Sequence, residues 1–441
     1  MSSIGVGIFA GCPKLETISV ASNNTTYDSR ENCNAIIESS SNTLIAGCKS
    51  TIIPESVTSL GKEAFYKCLG LTSITIPNSV TSIAEFAFDV CSDLASITIG
   101  NSVTSIGANA FPGCSGLTSV TIPNSVTSIG VDAFFECTGV TDVYCYANPA
   151  GLTWYDGRCD DFIENRGTIC HVFNTPDWSG FESGVNVTFV GDLAIDFADN
   201  ADNSPAISTW KEDGRKVNAR LKDRTLYKDG AWNTLCLPFA LSNFTGTPLE
   251  GATVMTFSDA SFAAGTLTMN FTEVTSLTAG EPFIVKWPVG EDIANPVFKD
   301  VYISTQTAAK ETDVITFQGI YAPLKIEGED NTLLYVGAGD KLYWPNAAMS
   351  IGAFRAYFQL NGGLTVGDGS SSATIRRTVL NFGDDATGIA SPKSSPEGKD
   401  FGSPLLQEGQ GEALYDLSGR RVNSLLTPGI YIRNGKKIIV K

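Results

Sequence analysis

Along the first third of the chain, apolar and polar positions follow a pattern that returns every 23 residues. Residues 57–79 read VTSLGKEAFYKCLGLTSITIPNS, residues 80–102 VTSIAEFAFDVCSDLASITIGNS, and residues 103–125 VTSIGANAFPGCSGLTSVTIPNS. A fourth copy starts at Val126 and decays after Val140. Val57, Val80, Val103 and Val126 are in phase, and so are Cys68, Cys91, Cys114 and Cys137. In Leu71-x-x-Ile74-x-Ile76 the alternation has period two, which sends Ile74 and Ile76 inward and Ser73 and Thr75 outward. Val80-Thr-Ser-Ile83 is a second short extended run, and Ala87-Phe88-x-x-Cys91 turns the chain back through a helical or 3₁₀ turn. A single coil cannot bury its own apolar face. Coils stacked at about 4.8 Å bury continuous Ile, Val, Phe and Cys ladders, which predicts a solenoid.

The consensus VTSIGxxAFxxCxxLTSITIPNS resembles the BspA-type (treponemal-type) leucine-rich repeats of bacterial surface proteins. The resemblance spans roughly residues 1–146. An irregular copy lies upstream: Thr17–Val20 and Thr51–Pro54 both match the repeat strand, but Val20 and Ile53 are 33 residues apart. The surplus, near Tyr27 to Cys48, is expected to form an inserted loop or hairpin. Ile4 to Cys12 has the spacing of Ile129 to Cys137, so the chain opens inside a repeat. That points to repeats, or a signal peptide, upstream of this chain.

After Thr141 the repeat degenerates into a segment with Trp154, Trp178 and Phe181. Residues 1–140 read as the solenoid and 141–193 as its C-terminal cap. Residues 194–384 change rhythm, with short apolar or alternating runs separated by Gly, Asp, Asn and Pro. The runs fall at 233–238, 253–257, 266–271, 282–287, 314–317, 333–336 and 354–360, and Asp229-Gly230 marks a hairpin turn. With no long 3.6-residue periodicity, this part reads as an all-β sandwich. Its phrases WNTLCLPF, AGEPFIVKW and AFRAYFQL resemble the β domains that follow such repeats in Bacteroidota surface proteins. The fold class is therefore mainly β: a leucine-rich-repeat solenoid, a β-sandwich and a small β tail.

Residues 385–411, with two Ser-Pro steps, read as a flexible linker. The tail 412–441 then shows strands at 413–417, 429–433 and 437–440, the last two joined by an Asn434-Gly435 turn. It resembles the C-terminal sorting domain of type IX-secreted proteins. The match lies on Tyr415, Asp416, Leu417, Gly419, Arg420, Arg421, Val422, Gly429, Ile430, Tyr431, Asn434, Gly435, Lys436 and Lys437. What the resemblance implies is recognition of this tail by secretion machinery.

Charge separates the parts. The 441-residue chain carries a formal net charge of −17. The tail holds six Lys/Arg and two Asp/Glu, a balance of +4, whereas residues 1–146 hold five and twelve, a balance of −7. An acidic body repels phosphate, so nucleic acid is excluded as a general partner. No apolar run approaches the ~18 residues that span a bilayer.

Candidate chemistry is sparse. Stacked cysteines at one repeat position have parallel Cα–Cβ vectors, which predicts buried thiols rather than bridges, and their spacing fits no zinc motif. Cys33 with Cys48, and Cys159 with Cys170, are spaced so that pairing stays open. The single histidine, His171, neighbours Cys170 on the opposite strand face and has no third group in sequence to orient it, so it reads as a structural or surface histidine. Asp196, Asp199, Asn200, Asp202 and Asn203 read as a solvated inter-domain turn rather than a cation loop. No cofactor is implied, and no nucleophile–base set for an enzyme can be assembled. What remains is a surface: the outward band of Ser73, Thr75, Ser96, Thr98, Ser119 and Thr121, ending in Asp142 and Tyr144. The family resemblance implies a secreted, cell-surface, non-enzymatic protein that binds extracellular partners such as host matrix, mucin or other cells. The alternative is glycan binding by the β domain, with the repeats as a stalk and Trp210, Trp232, Trp287 or Trp344 exposed on one face.

Overall fold

A computed structural model describes residues 3–154, 168–174, 178, 187–304, 309–337, 340–367 and 372–382. For Trp154 and for the short strands between 387 and 440 it describes the backbone alone. The fold is mainly β, with a solenoid of about six turns in the repeat region.

The 23-residue period becomes an in-phase ladder. Ser59–Leu60, Ser82–Ile83, Ser105–Ile106 and Ser128–Ile129 pair in parallel, serine beside serine, and Thr153–Trp154 adds the next rung. At its other edge the sheet is extended by Tyr27–Asp28, Ala35–Glu38 and Thr43–Gly47. These three are antiparallel to one another, so the surplus residues form a hairpin unit that joins the solenoid through Thr43–Gly47. A second set of parallel strands carries the Leu-x-x-Ile-x-Ile motif. Ser73–Thr75 pairs with Ser96–Thr98, and Ser119–Ile122 with Asp142–Cys145, then Thr168–His171, then Val187–Val190. The parallel stacking therefore runs on through 141–190, where the repeat pattern is no longer visible.

The return segments are not helical. They are tight turns in which Glu63, Phe86, Asn109 and Asp132 all have positive φ, one repeat apart, followed by Lys67, Val90, Gly113 and Glu136. Left-handed backbone at Phe86 and Val90 runs against residue preference, and the stacked hydrogen bonds Phe65 N–H to Ala87 O, Phe88 N–H to Ala110 O and Phe111 N–H to Ala133 O impose it. Inside, Phe65, Phe88, Phe111 and Phe134 form a face-to-face column with ring centroids 4.8, 5.0 and 4.9 Å apart. At its start the column needs a bare backbone, because a Cβ at Gly47 would collide with the Phe65 ring.

Beyond Leu193 the runs read from sequence appear as Asn233–Cys236, Thr253–Ala263, Thr266–Glu273, Pro282–Lys286, Ile315–Gly319, Leu333–Gly337 and Ala356–Leu360. Two six-stranded sheets contribute to one core built on Phe257, Phe271, Phe317 and Phe358. Two expectations need correction. Asp229-Gly230 is a turn, with the Ala231 N–H bound by Asp229 Oδ1, but it closes no hairpin. Thr225–Leu226 before it pairs with Ile293–Ala294, while Asn233–Cys236 after it pairs with Pro282–Lys286. The supposed solvated turn at 196–203 is also partly buried: Asp199 is 1% and Asn203 4% exposed. The Asn203 amide binds the carbonyls of Ala198, Ala201 and Tyr321, and helix Ser204–Asp213 follows at once. Pro205 in its first turn and left-handed Gly214 at its end bound this helix.

That helix helps join the two parts. Arg215 beyond it lies over the rings of Phe173 and Trp210 and donates to the carbonyls of Tyr146 and Ala147. Asn218 donates to the carbonyls of Leu193 and Phe173. In the tail, Leu414–Asp416, Gly429–Arg433 and Lys436–Val440 form an antiparallel sheet, with Arg421–Val422 as a fourth strand at its edge.

Candidate functional site

The outward face of the Leu-x-x-Ile-x-Ile strands is built by the alternation itself. Ile74, Val120, Ile122 and Val143 are buried, so Ser73, Thr75, Ser96, Thr98, Ser119 and Thr121 between them face solvent. Asp142 is half-buried and Tyr144 is exposed. The face continues past them: Ile169 and His171 follow beside Asp142 and Tyr144, and Thr188 and Val190 beside those. The hydroxyl band thus ends in an aromatic, apolar and charged patch of Tyr144, Ile169, His171 and Asp142.

His171 is held there on three sides. Its ring stacks on Tyr144 at 4.6 Å. Nε2 stands 3.0 Å from Asp142 Oδ1, and Nδ1 2.7 Å from Asp192 Oδ1. This corrects the reading of a histidine with nothing to orient it. The partners were hidden because the coil spacing changes: Asp142 pairs with Ile169, 27 residues on, and Thr168 with Val187, 19 residues on. Without a fixed period, no sequence phase places His171 beside Tyr144. Cys170 does lie on the buried face, as strand alternation requires.

Only the imidazolium has an N–H for both carboxylates. Burial opposes its charge, but the hydrogen bonds and charges of Asp142 and Asp192 prevail and raise its pKa. Thr141, which donates to Asp142 at 2.6 Å, and then His171 hold the Asp142 carboxyl below its usual range. The sign for stability follows: the His171 contribution is fully present below the ordinary value of about 6.5 and is lost as pH rises through the raised folded value. A proton NMR titration of the single imidazole is expected to give a pKa above 6.5, and Asp142→Asn should lower it. A wild-type value at or below 6.5 would refute the bracketed imidazolium.

The cysteine ladder has no surface role. Cys91, Cys114 and Cys137 each donate to a phenylalanine carbonyl of the preceding coil, at 3.0, 3.2 and 3.1 Å. Burial pushes the Cys68 thiol up to about 12. Cys33 and Cys48 are unbridged, and Cys159 lies outside the described residues. Among the described residues no group of three His, Cys, Asp or Glu is placed to hold a metal ion, and no helix is long and apolar enough to cross a membrane.

Of the tryptophans considered for glycan binding, Trp287 is 2% exposed and Trp210 lies in the joint between the parts. Trp344 is partly buried against the β core, and Trp232 borders a cleft. The tail residues Tyr415, Asp416, Arg421, Gly429, Tyr431, Lys436 and Lys437 fall on its strands, and Gly419, Arg420 and Gly435 lie outside the described residues.

The comparisons with known proteins concern the repeats. No curated protein matches the chain. Among solved structures, it is similar to a leucine rich cell surface protein from Faecalibacterium prausnitzii A2-165, with 25% identity over 43% of this chain and 46% of that one and a TM-score of 0.31. A leucine-rich repeat protein from Eubacterium ventriosum ATCC 27560 shows 20% identity over 44% of this chain and 47% of that one, with a TM-score of 0.27. The T. pallidum leucine rich repeat protein shows 21% identity over 41% of this chain and 84% of that one, with a TM-score of 0.26. The chain spans about half the length of the first two of these. Residues 35–150 match the model of the BspA type leucine rich repeat region in six copies.

Proposed function

We propose that this is a secreted, cell-surface recognition protein without enzymatic activity, whose solenoid face binds a protein partner in host matrix or on other cells. The observation that carries the reading is the outward sheet face. It is regular, polar and exposed along the hydroxyl band, and ends in a patch where Tyr144 and Ile169 are each 37% exposed beside a clamped His171. An exposed tyrosine held rigidly beside an apolar side chain is the kind of aromatic anchor on which interface hot spots are built. Solenoids present such faces as extended recognition surfaces.

In this reading the basic tail is an export and attachment signal read by the secretion machinery, and its antiparallel sheet is a separate module behind the linker. Deleting residues 412–441 from the native gene should then leave the protein inside the outer membrane, and unchanged surface display would refute the role.

The recognition face is tested with the full chain over immobilised fibronectin, collagen and mucin. Saturable binding to at least one is expected, weakened about tenfold or more by Tyr144→Ala. Binding to none of them, or binding indifferent to Tyr144→Ala and Ile169→Asp, would overturn it. The glycan-binding alternative draws its support from the cleft beside Trp232.

A further inference from the structure

The β-rich part contains a cleft of about 270 Å³ far along the chain from the recognition face. Two arginines that line it share one buried carboxylate. Asp199 sits at the end of strand Ile195–Ala198, 1% exposed, and two guanidinium groups converge on its one carboxylate. Arg355 takes it in a bidentate grip, Nη1 to Oδ1 at 2.5 Å and Nη2 to Oδ2 at 3.1 Å. Gly352 makes this possible, since a Cβ there would collide with Arg355 Nη1.

Arg224 is left over. Its side chain is 6% exposed, its Nη1 stands 4.0 Å from Asp199 Oδ1, beyond hydrogen-bond reach, and its Nε makes no hydrogen bond. Burial first, and then the neighbouring Arg355, push its pKa down to about 9, which leaves it charged at neutral pH. Among the described residues the buried set is therefore two cations to one anion, with the Arg224 Nε unused as a donor. Asp229 also borders the cleft, but it is exposed and its Oδ1 already accepts the Ala231 N–H. Both arginines line the cleft, and so do Tyr227, exposed at the rim, and half-buried Trp232. Trp232 is held by Phe382, ring centroids 4.8 Å apart, by Lys286 Nζ over its ring at 5.7 Å, and by its backbone N–H to Asp340.

A planar guanidinium with free donors in a desolvated cleft selects a carboxylate. Aromatic walls select a ring with an apolar face. The volume is at the small end of ligand sites and takes one ring, not a chain. We propose that this cleft binds a single acidic sugar, with the carboxylate received by Arg224 and Arg355 and the pyranose ring laid against Tyr227 and Trp232. The site is independent of the solenoid face. The shared chemistry is a pyranose carboxylate, which both uronic and sialic acids carry.

The test is a calorimetric and saturation-transfer NMR titration of the full chain with glucuronic acid and N-acetylneuraminic acid, set against glucuronamide, glucose and acetate. At least one acid is expected to bind saturably, and which one identifies the source. For glucuronate, the amide should bind about tenfold more weakly or worse, because it gives the two buried cations no second anion. Arg224→Gln should abolish binding. Tyr227→Ala, a change at the exposed rim, should weaken sugar binding in a folded protein, while Tyr144→Ala should have no effect. Binding of neither acid, equal binding of glucuronate and glucuronamide, acetate as good as either acid, or full binding by Tyr227→Ala would each overturn the proposal. Should Arg224→Gln fail to fold, the amide comparison and Tyr227→Ala decide alone.

Discussion

Replacing Phe111 by alanine is expected to lower stability by about 3–5 kcal/mol, at the upper end for a single core truncation. Phe111 is fully buried and is an inner member of the column, 5.0 Å from Phe88 and 4.9 Å from Phe134. Removing it forfeits two stacking contacts as well as the buried area. The space it leaves cannot collapse. Coil spacing is set by hydrogen bonds on every side of the solenoid, including Phe111 N–H to Ala133 O at 2.8 Å and the Cys137 thiol to Phe111 O at 3.1 Å. The neighbouring rings belong to coils locked at strand spacing, so they cannot close on the gap. Phe111→Leu keeps most of the volume and should cost much less. Denaturant unfolding followed by far-UV circular dichroism measures the difference. Because each coil contacts only its neighbours, hydrogen exchange should show the loss concentrated around residues 88–134. A loss below about 1 kcal/mol for Phe111→Ala would mean that the column is not a principal source of solenoid stability.

How much of this was legible in the sequence depends on periodicity. The coils from Val57 to Val140 could be read residue by residue, because each position is tested three or four times over. The same period-two alternation that buried Ile74 and Ile76 placed Ser73 and Thr75 outside. Strand positions in the β-rich part were also legible from local alternation, but their partners were not: Asn233–Cys236 pairs with Pro282–Lys286, and nothing local encodes that. The helix at 204–213 escaped because it is short and weakly amphipathic, with Ile207 as its one buried residue. Its caps, Asn203 with Pro205 and then Gly214, were the available signal. His171 gained its carboxylates only through coils of unequal length, and the cleft is assembled from residues as far apart as Arg224 and Arg355. Charged residues in a polar run, such as Asp196 to Asn203, look solvated in sequence because burial of a charge depends on a distant counter-charge.

Asp199 provides the second large effect. Asp199→Asn keeps the shape of the side chain and removes the one carboxylate that Arg355 grips and Arg224 approaches. Two buried cations would then face each other without an anion, and breaking a buried pair in this way costs about 3–5 kcal/mol. The comparison that isolates charge is Arg355→Met. It removes more hydrogen bonding to Asp199 than the asparagine does, since both Arg355 bonds go, but leaves one cation with one anion, so Arg224 can turn to the freed carboxylate. Asp199→Asn should therefore be the more destabilising of the two, although asparagine is the more conservative change in volume. The backbone of Asp199 cannot explain such an order, since its hydrogen bonds, N–H to Lys222 O at 3.0 Å and the Ala353 N–H to its carbonyl at 2.7 Å, survive in both variants. Thermal and urea unfolding of the two proteins give the ranking. Equal losses, or a larger loss for Arg355→Met, would mean that packing and not charge balance holds this part of the core together, and that Arg224 is already compensated without an anion in the cleft.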